Sequence, residues 1–216
     1  MRGFFSLEGG LFNGMGKIVD IVLVSIIWTF FCMPVITIGP ATTALYYVTT
    51  KVIRKERGYV FQEFWKCFKQ NFLTGIIYTG ILLVIGFVMY FNFNVINVKD
   101  TKVNLVLFYI YWMFLFVIGS ATVYLFPLLS RFTLKRMELV KMALFVSMKH
   151  LPNTLIVLPL TVVAGVCMMS APLLTSFLPG LCCLLCSFRL EKVFKKYLPT
   201  PDENIPEDEL EWYYTF

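Results

Sequence analysis

Four long stretches without a charged side chain constrain this chain more than any other feature of its sequence. Positions 21–50, 70–98, 103–130 and 150–188 contain no Asp, Glu, Lys or Arg, and together they make up more than half of the 216 residues. A helix that crosses the hydrocarbon of a bilayer, about 30 Å thick, needs about 20 apolar residues. The four stretches therefore predict an all-α protein with several helices that span a membrane.

The composition supports this interpretation and excludes other classes of protein. Hydrophobic residues make up 58% of the chain and charged residues 15%, whereas soluble domains average about 45–50% and about 25%. An ordinary soluble enzyme, a disordered chain and a nucleic-acid-binding protein are therefore excluded. The net charge of +6 comes from bases that lie between the apolar stretches, which is typical of topology signals and of contacts with lipid headgroups.

Prolines and glycines divide the charge-free stretches into five predicted spans. Pro34 and the Gly39-Pro40 pair end the first span early, and the last stretch, with 39 residues, would form a helix about 60 Å long. Ser170-Ala171-Pro172 is its best break, because proline disfavours a helical conformation in the residue before it. A re-entrant hairpin over 151–188 is the alternative to two crossings. The five predicted spans are 21–38, 72–93, 103–129, 151–169 and 173–188.

The distribution of Lys and Arg predicts the orientation of these spans. The segments between spans one and two and between spans three and four, together with the flank after span five, carry fifteen bases, and the opposite face carries four. Because cytoplasmic segments are enriched in Lys and Arg, we predict a multi-pass cell-membrane protein with its N-terminus outside and its C-terminus in the cytoplasm. The bases on the predicted outer face are Arg2, Lys17, Lys99 and Lys102.

Amphipathic helices are predicted on the cytoplasmic side. One begins at Gly39-Pro40, since proline fits the first position of a helix, and another covers about 134–148. Between them, aromatic side chains recur at helical spacing opposite Lys and Gln, which is the pattern of an interfacial helix. Residues 1–198 are thus predicted to form a single transmembrane domain, and residues 199–216, with six acids, an acidic flexible cytoplasmic tail. The aromatic positions are Phe61, Phe64, Trp65, Phe68 and Phe72.

No set of residues in the sequence is suited to catalysis. His150 is the only histidine, Cys183 and Cys186 lie among leucines, and Asp20 is the only acid in or at the edge of a predicted span. Arg131, at the end of span three, is interpreted as a lipid-facing flank residue, with contact to a helix C-terminus or an anionic lipid as the alternative. The chain is therefore predicted to be no enzyme and to bind no metal or cofactor.

One motif and several later positions resemble a known family. Residues 34–46 read Pro-Val-Ile-Thr-Ile-Gly-Pro-Ala-Thr-Thr-Ala-Leu-Tyr, and Phe64, Phe68-Lys69 and Asn71-Phe72 follow. With Arg131-Phe132 and the His150-Leu151-Pro152 triplet, this pattern resembles the YesL family, a bacterial integral-membrane family of unknown function. Ser25 departs from it, because a polar Asn is expected there. The resemblance implies an association with carbohydrate ABC transporters, and it marks as a structural motif Pro34, Gly39, Pro40 and Asn71.

Two functions are compatible with these features. The first is a non-enzymatic accessory or scaffold component associated with carbohydrate uptake, in which the aromatic helix and Arg131 contact a partner or lipid. The alternative is a small oligomeric transporter or channel for a neutral solute. Its path would be lined by Thr74, Thr79, Ser120, Thr122 and Thr161. The expected partners are the lipid bilayer, an ABC transporter permease or another membrane protein, and a second copy of this chain, but no nucleic acid.

Overall fold

The computed structural model describes residues 5–96, 102–132 and 135–197, and every regular element within these ranges is helical. The α-helices are α1 (Phe5–Phe31), α2 (Ile38–Val48), α3 (Val60–Ile96), α4 (Lys102–Arg131), α5 (Arg136–Lys149), α6 (Leu151–Ser170) and α7 (Leu178–Phe194). The other helical elements are short 3-10 segments at Val35–Thr37 and Pro172–Ser176 and a π-helical turn at Thr49–Ile53. The all-α prediction is confirmed, whereas the predicted tail over 199–216 lies outside the described residues.

Three helical segments in the described part of the chain are long and apolar enough to cross a membrane. They are Val60–Phe93, Phe108–Arg131 and Leu151–Ser170. Even the shortest, with 20 residues, reaches about 30 Å at a rise of about 1.5 Å per residue. They coincide with the second, third and fourth predicted spans. The first and fifth predicted spans fall on α1 and α7, which are not among the three segments.

The predicted interfacial helix and the second predicted span form one continuous helix, α3, of 37 residues. No proline occurs between Val60 and Ile96, so nothing in the sequence ends the helix where the interfacial segment was predicted to stop. The first half of α3 packs against α1 and α2, and its second half packs against α4, where the Tyr111 hydroxyl donates to the Met89 carbonyl at 2.8 Å.

The helix predicted at Gly39-Pro40 is present as α2, but its surroundings differ from the prediction. It is buried on nearly all sides rather than on one face. The Gly39 N–H donates to the Thr79 hydroxyl of α3 at 3.1 Å, and a Cβ on Gly39 would lie 2.7 Å from the Gly75 carbonyl oxygen. The glycine is therefore required by close packing between α2 and α3.

The other members of the predicted structural motif stabilise turns and helices. The Pro34 carbonyl accepts the Thr37 N–H at 2.9 Å, which shapes the turn between α1 and α2. The Asn71 amide donates to the Cys67 carbonyl at 3.1 Å, within α3. Ser25, the position that departs from the family pattern, still makes an interhelical hydrogen bond, because the Gly180 N–H of α7 donates to its hydroxyl at 2.9 Å.

Candidate functional site

An ion pair between Arg131 and Glu191 lies inside the helix bundle. Arg131 ends α4 and Glu191 lies in the last turns of α7, and their side chains are 3% and 8% exposed. One guanidinium nitrogen contacts Oε2 of the carboxylate, and Nε donates to Oε1 at 3.2 Å. The Tyr46 hydroxyl of α2 donates to the same Oε1 at 2.7 Å. One carboxylate therefore joins three helices that are distant in sequence.

The ion pair assigns Arg131 a different position from the one that the sequence indicated. A residue that faced lipid or headgroups would be exposed, but this side chain is enclosed by α4, α2 and α7. Burial, with the negative charge of Glu191, raises the pKa of Tyr46 well above its usual value, so the phenol remains a donor. Arg131, Tyr46 and Glu191 therefore form a structural junction, in which the guanidinium and the phenol both donate hydrogen bonds to one carboxylate.

Basic side chains from the segment after α2 lie close to this junction. Arg54 Nη1 donates to the Ser187 carbonyl of α7 at 3.3 Å, and its guanidinium lies 4.6 Å from the ring centre of Phe188. Burial and the positive charge of Arg131 lower the pKa of Lys55, because a second cation nearby disfavours the charged ammonium. We call the region formed by Arg54 and Lys55, beside the buried Arg131, the basic end.

A second ion pair concerns the predicted position of Lys17. Its Nζ lies 2.7 Å from Oε1 of Glu56, with both side chains about half exposed. Glu56 belongs to the turn before α3, which the sequence predicts to be cytoplasmic. Two residues in contact cannot lie on opposite faces of a bilayer. The ion pair therefore shows that the two predictions, Lys17 outside and Glu56 in the cytoplasm, cannot both hold.

A cavity of about 450 Å³ lies between α1, α2, α4, α6 and α7. This volume is within the range of about 300–1,000 Å³ that is typical of small-molecule sites. Tyr46 and Leu190, the neighbour of Glu191, connect the cavity wall to the buried junction. Most of the wall is apolar. Its side chains with O–H or ring N–H groups are Trp28, Thr42, Tyr46, Thr122 and Thr161.

The threonine hydroxyls of the cavity already donate to the protein. Thr42, Thr122 and Thr161 donate to backbone carbonyls of their own helices at 2.7, 2.8 and 2.8 Å. The Trp28 ring N–H donates to the Thr42 hydroxyl at 3.3 Å. A sugar would bring several hydroxyls that need partners, and each one left unsatisfied costs about 1–3 kcal/mol. The cavity is therefore better suited to an apolar ligand than to a polar one.

The structure does not bring the predicted solute path together. Thr122 and Thr161 line the cavity, whereas Thr74 is not part of its wall. Thr79 donates to the Gly75 carbonyl at 2.7 Å, where α3 meets α2. Ser120 is buried and donates to the Val117 carbonyl at 2.8 Å. The hydroxyls of Thr79, Ser120, Thr122 and Thr161 all donate to carbonyls of their own helices, and that of Thr79 also accepts the Gly39 N–H of α2.

The aromatic helix face is divided between the core and the surface. Phe64 and Phe68 are buried and contact the ring of Phe31 in α1, with ring centres 5.5 and 4.8 Å apart. Phe61 and Trp65 remain exposed. With Phe31 and three more α1 residues they form a groove between α1 and α3, which we call the aromatic groove. It is lined by Ile26, Ile27, Phe30, Phe31, Phe61 and Trp65.

The remaining candidate residues form no further site in the described ranges. His150 Nε2 lies 3.2 Å from the Tyr197 hydroxyl, and burial together with nearby lysines lowers its pKa. The six cysteines are free. Within the described residues no group of three or more His, Cys, Asp or Glu side chains is placed to hold a metal ion. Sequence reasoning missed Glu191, because Arg189 and Lys192 beside it are typical of a charged flank.

Comparisons with known proteins agree with the resemblance to a family of unknown function. Residues 21–93 match the family described as "Protein of unknown function, DUF624". The chain is 31% identical over 161 residues to the protein named "Uncharacterized protein YteU" of Bacillus subtilis (strain 168). That alignment covers 73% of this chain and 69% of YteU. No solved structure matches the chain.

Proposed function

This chain belongs to DUF624, a YesL-like family of unknown function, and we propose that it is a non-enzymatic accessory or scaffold component of a membrane assembly that serves carbohydrate uptake. The observation that carries the proposal is the aromatic groove, where the wall is fixed by buried aromatic side chains while its outer rings remain exposed. The link to carbohydrate uptake is supported by the resemblance alone.

The groove has the features of a surface that receives an apolar helix. Phe30 and Phe61 are 67% and 60% exposed, and the Phe30 ring packs against Phe31, whose ring contacts the buried Phe64. Exposed aromatic side chains held on a rigid support are typical anchors of protein interfaces. The ammonium of Lys69 lies 5.0 Å from the Trp65 ring centre, so a cation borders the groove. An apolar helix with an acidic end fits this chemistry.

The orientation follows from the basic end. We place the ends of α4 and α7 and the turn before α3 in the cytoplasm, as the bases there favour, with residues 199–216 following as a cytoplasmic tail of the single membrane domain. Five full crossings would place the two ends of the chain on opposite faces of the membrane. Since Lys17 contacts Glu56, its part of α1 lies on the same side as the basic end. The contact therefore argues for a cytoplasmic N-terminal end of α1, against the predicted outer one, and against five full crossings.

The proposal is tested by affinity purification from native membranes in mild detergent, with mass spectrometry of the recovered proteins. A Phe61→Ala/Trp65→Ala double variant is expected to lose transporter permease subunits that the unchanged chain recovers. Phe87→Ala is the matched control, because Phe87 is also an exposed aromatic residue of α3 but does not line the aromatic groove. If the unchanged chain recovers no transporter component, or if the double variant recovers as much as the control, the proposal is wrong.

A neutral-solute transporter is less well supported by the geometry. The cavity contains two of the predicted path residues, but their hydroxyl protons are donated to backbone carbonyls. Flux of a neutral solute into liposomes that contain only the purified protein, and its loss on substitution of Thr122 or Thr161 by valine, would favour the transporter over the scaffold.

A further inference from the structure

We propose that the cavity between α1, α2, α4, α6 and α7 binds one acyl chain of an anionic membrane phospholipid, whose headgroup lies at the basic end. This site is separate from the aromatic groove, so it does not depend on the proposed docking function. Three observations support it: the position of the opening, the bonding of the hydroxyls in the wall, and the charge beside it.

We place the entrance of the cavity at Gly165, on a face of α6 that belongs to the bilayer. Gly165 of α6 lines the cavity and is exposed, and its neighbours Val162, Val166 and Met169 are exposed as well. All four lie in Leu151–Ser170, one of the segments suited to cross a membrane. A Cβ placed on Gly165 would meet no atom within 4 Å. The missing side chain thus leaves a lateral gap through which a lipid chain can enter.

The wall selects an apolar chain. The threonine hydroxyls that reach it donate to their own helices, and the Tyr46 hydroxyl donates to Glu191. These four groups retain only acceptor lone pairs, so they offer no donor to the oxygens of a sugar, whereas an acyl chain needs none. The remaining wall consists mainly of Leu, Val, Met, Phe, Pro and Cys side chains with the backbone of two glycines.

The charge beside the cavity indicates the class of headgroup. Tyr46 and Leu190 line its wall next to the Arg131–Glu191 pair, and Arg54 and Lys55 lie near that pair on the segment after α2. Glu191 offsets the charge of the buried Arg131, so Arg54 and Lys55 give the basic end a positive excess. Basic pockets between membrane helices on the cytoplasmic side bind anionic headgroups. A phosphatidylglycerol-type lipid, with one negative charge, therefore fits better than a zwitterionic lipid.

Lipid binding is measured on the delipidated full-length protein in detergent, by native mass spectrometry during titration with dioleoyl phosphatidylglycerol. The unchanged chain is expected to bind one molecule saturably, and more tightly than dioleoyl phosphatidylcholine. Gly165→Leu fills the gap and is expected to abolish this binding. The matched control is Gly80→Leu on α3, since Gly80 also has no atom within 4 Å of its Cβ position but does not line the cavity.

Additional variants keep the test decisive if the leucine variant does not fold. Gly165→Ala introduces only one methyl group at the same position and is expected to weaken binding by less than Gly165→Leu does, because it obstructs less of the entrance. An Arg54→Gln/Lys55→Gln variant is expected to remove the preference for the anionic lipid. Equal binding by the Gly165 variants and the control, or binding that never saturates, overturns the proposal.

Discussion

Replacement of Glu191 by glutamine removes the negative charge that Arg131 and Tyr46 share. Glutamine keeps the shape of the side chain and one acceptor oxygen, so the change tests charge rather than packing. Both charged side chains are less than one-tenth exposed, so water cannot compensate the guanidinium that is left. Breaking a buried pair on one side costs about 3–5 kcal/mol. At about 2–4 °C per kcal/mol for a chain of this size, we expect the Tm to fall by about 6–20 °C.

The assay is the thermal stability of the purified full-length protein in one detergent, followed as the loss of the monodisperse peak after heating. Glu56→Gln is the matched control, because it breaks the half-exposed pair with Lys17. Exposed pairs contribute about 0–1 kcal/mol, so the control should lower the Tm by at most about 4 °C. An Arg131→Met/Glu191→Met variant removes both charges. It should recover part of the lost stability, since apolar replacement of a whole buried pair is often neutral.

Two results would refute this reasoning. Glu191→Gln could lower the Tm no more than Glu56→Gln, which would mean that water reaches the guanidinium or that the pair is not formed. The double variant could also be less stable than Glu191→Gln alone, which would mean that the two charges do not depend on each other. Either result would mean that paired charges do not hold α4 and α7 together at the junction, and the position of the basic end would then lose its support.

Three further predictions concern packing, pH and topology. Gly39→Ala should destabilise the protein by about 1–3 kcal/mol through overpacking, since its Cβ would lie 2.7 Å from a carbonyl oxygen of α3. Gly80→Ala, with open space around it, should instead stabilise the protein by up to about 1 kcal/mol. Equal Tm values for the two variants would contradict the packing argument. Burial and two nearby lysines lower the pKa of His150 in the folded chain. Its contribution to stability is therefore present above about pH 6.5 and is lost as the pH falls below this value through the lowered pKa of the folded chain. His150→Gln should reduce the fall in Tm between about pH 7 and pH 5, and an unchanged fall would show that His150 does not cause it. In sealed vesicles, Lys17→Cys and Arg57→Cys should react with an impermeant maleimide from the same side, and labelling from opposite sides would contradict the Lys17–Glu56 contact.

The sequence was sufficient to predict the elements that depend on local composition. Charge-free length predicted spans at 72–93, 103–129 and 151–169, and these overlap the apolar helical segments Val60–Phe93, Phe108–Arg131 and Leu151–Ser170, because the cost of burying charge in hydrocarbon acts on every residue of a span. The break after Ser170 and the helix start near Gly39 follow from the conformational limits of proline. Such signals lie within a few residues of the feature that they predict, so they need no knowledge of the neighbouring helices.

Features that depend on contacts between helices were not accessible in the same way. The spacing of Phe61, Phe64, Trp65 and Phe68 predicts a helix with one aromatic face, but it does not show that Phe31 covers half of that face. Charge counting likewise treats each base independently. It therefore could not find the contact between Lys17 and Glu56, which comes from the packing of α1 beside the turn before α3.

Glu191 shows where a sequence signal existed and was outweighed. Its neighbours Arg189 and Lys192 make the segment look like a solvated flank, so the last predicted span ended at Phe188. The apolar pattern nevertheless continues through Leu190, Val193 and Phe194, which are all buried in α7. Glu191 therefore lies on the buried face of this helix. A buried carboxylate needs a buried cation as its partner. Arg131 directly follows an apolar stretch, but so do Lys51, Lys99 and Arg189. Helical periodicity carried one turn further could therefore have identified Glu191 as buried, whereas the choice of Arg131 as its partner depends on how α4 packs against α7.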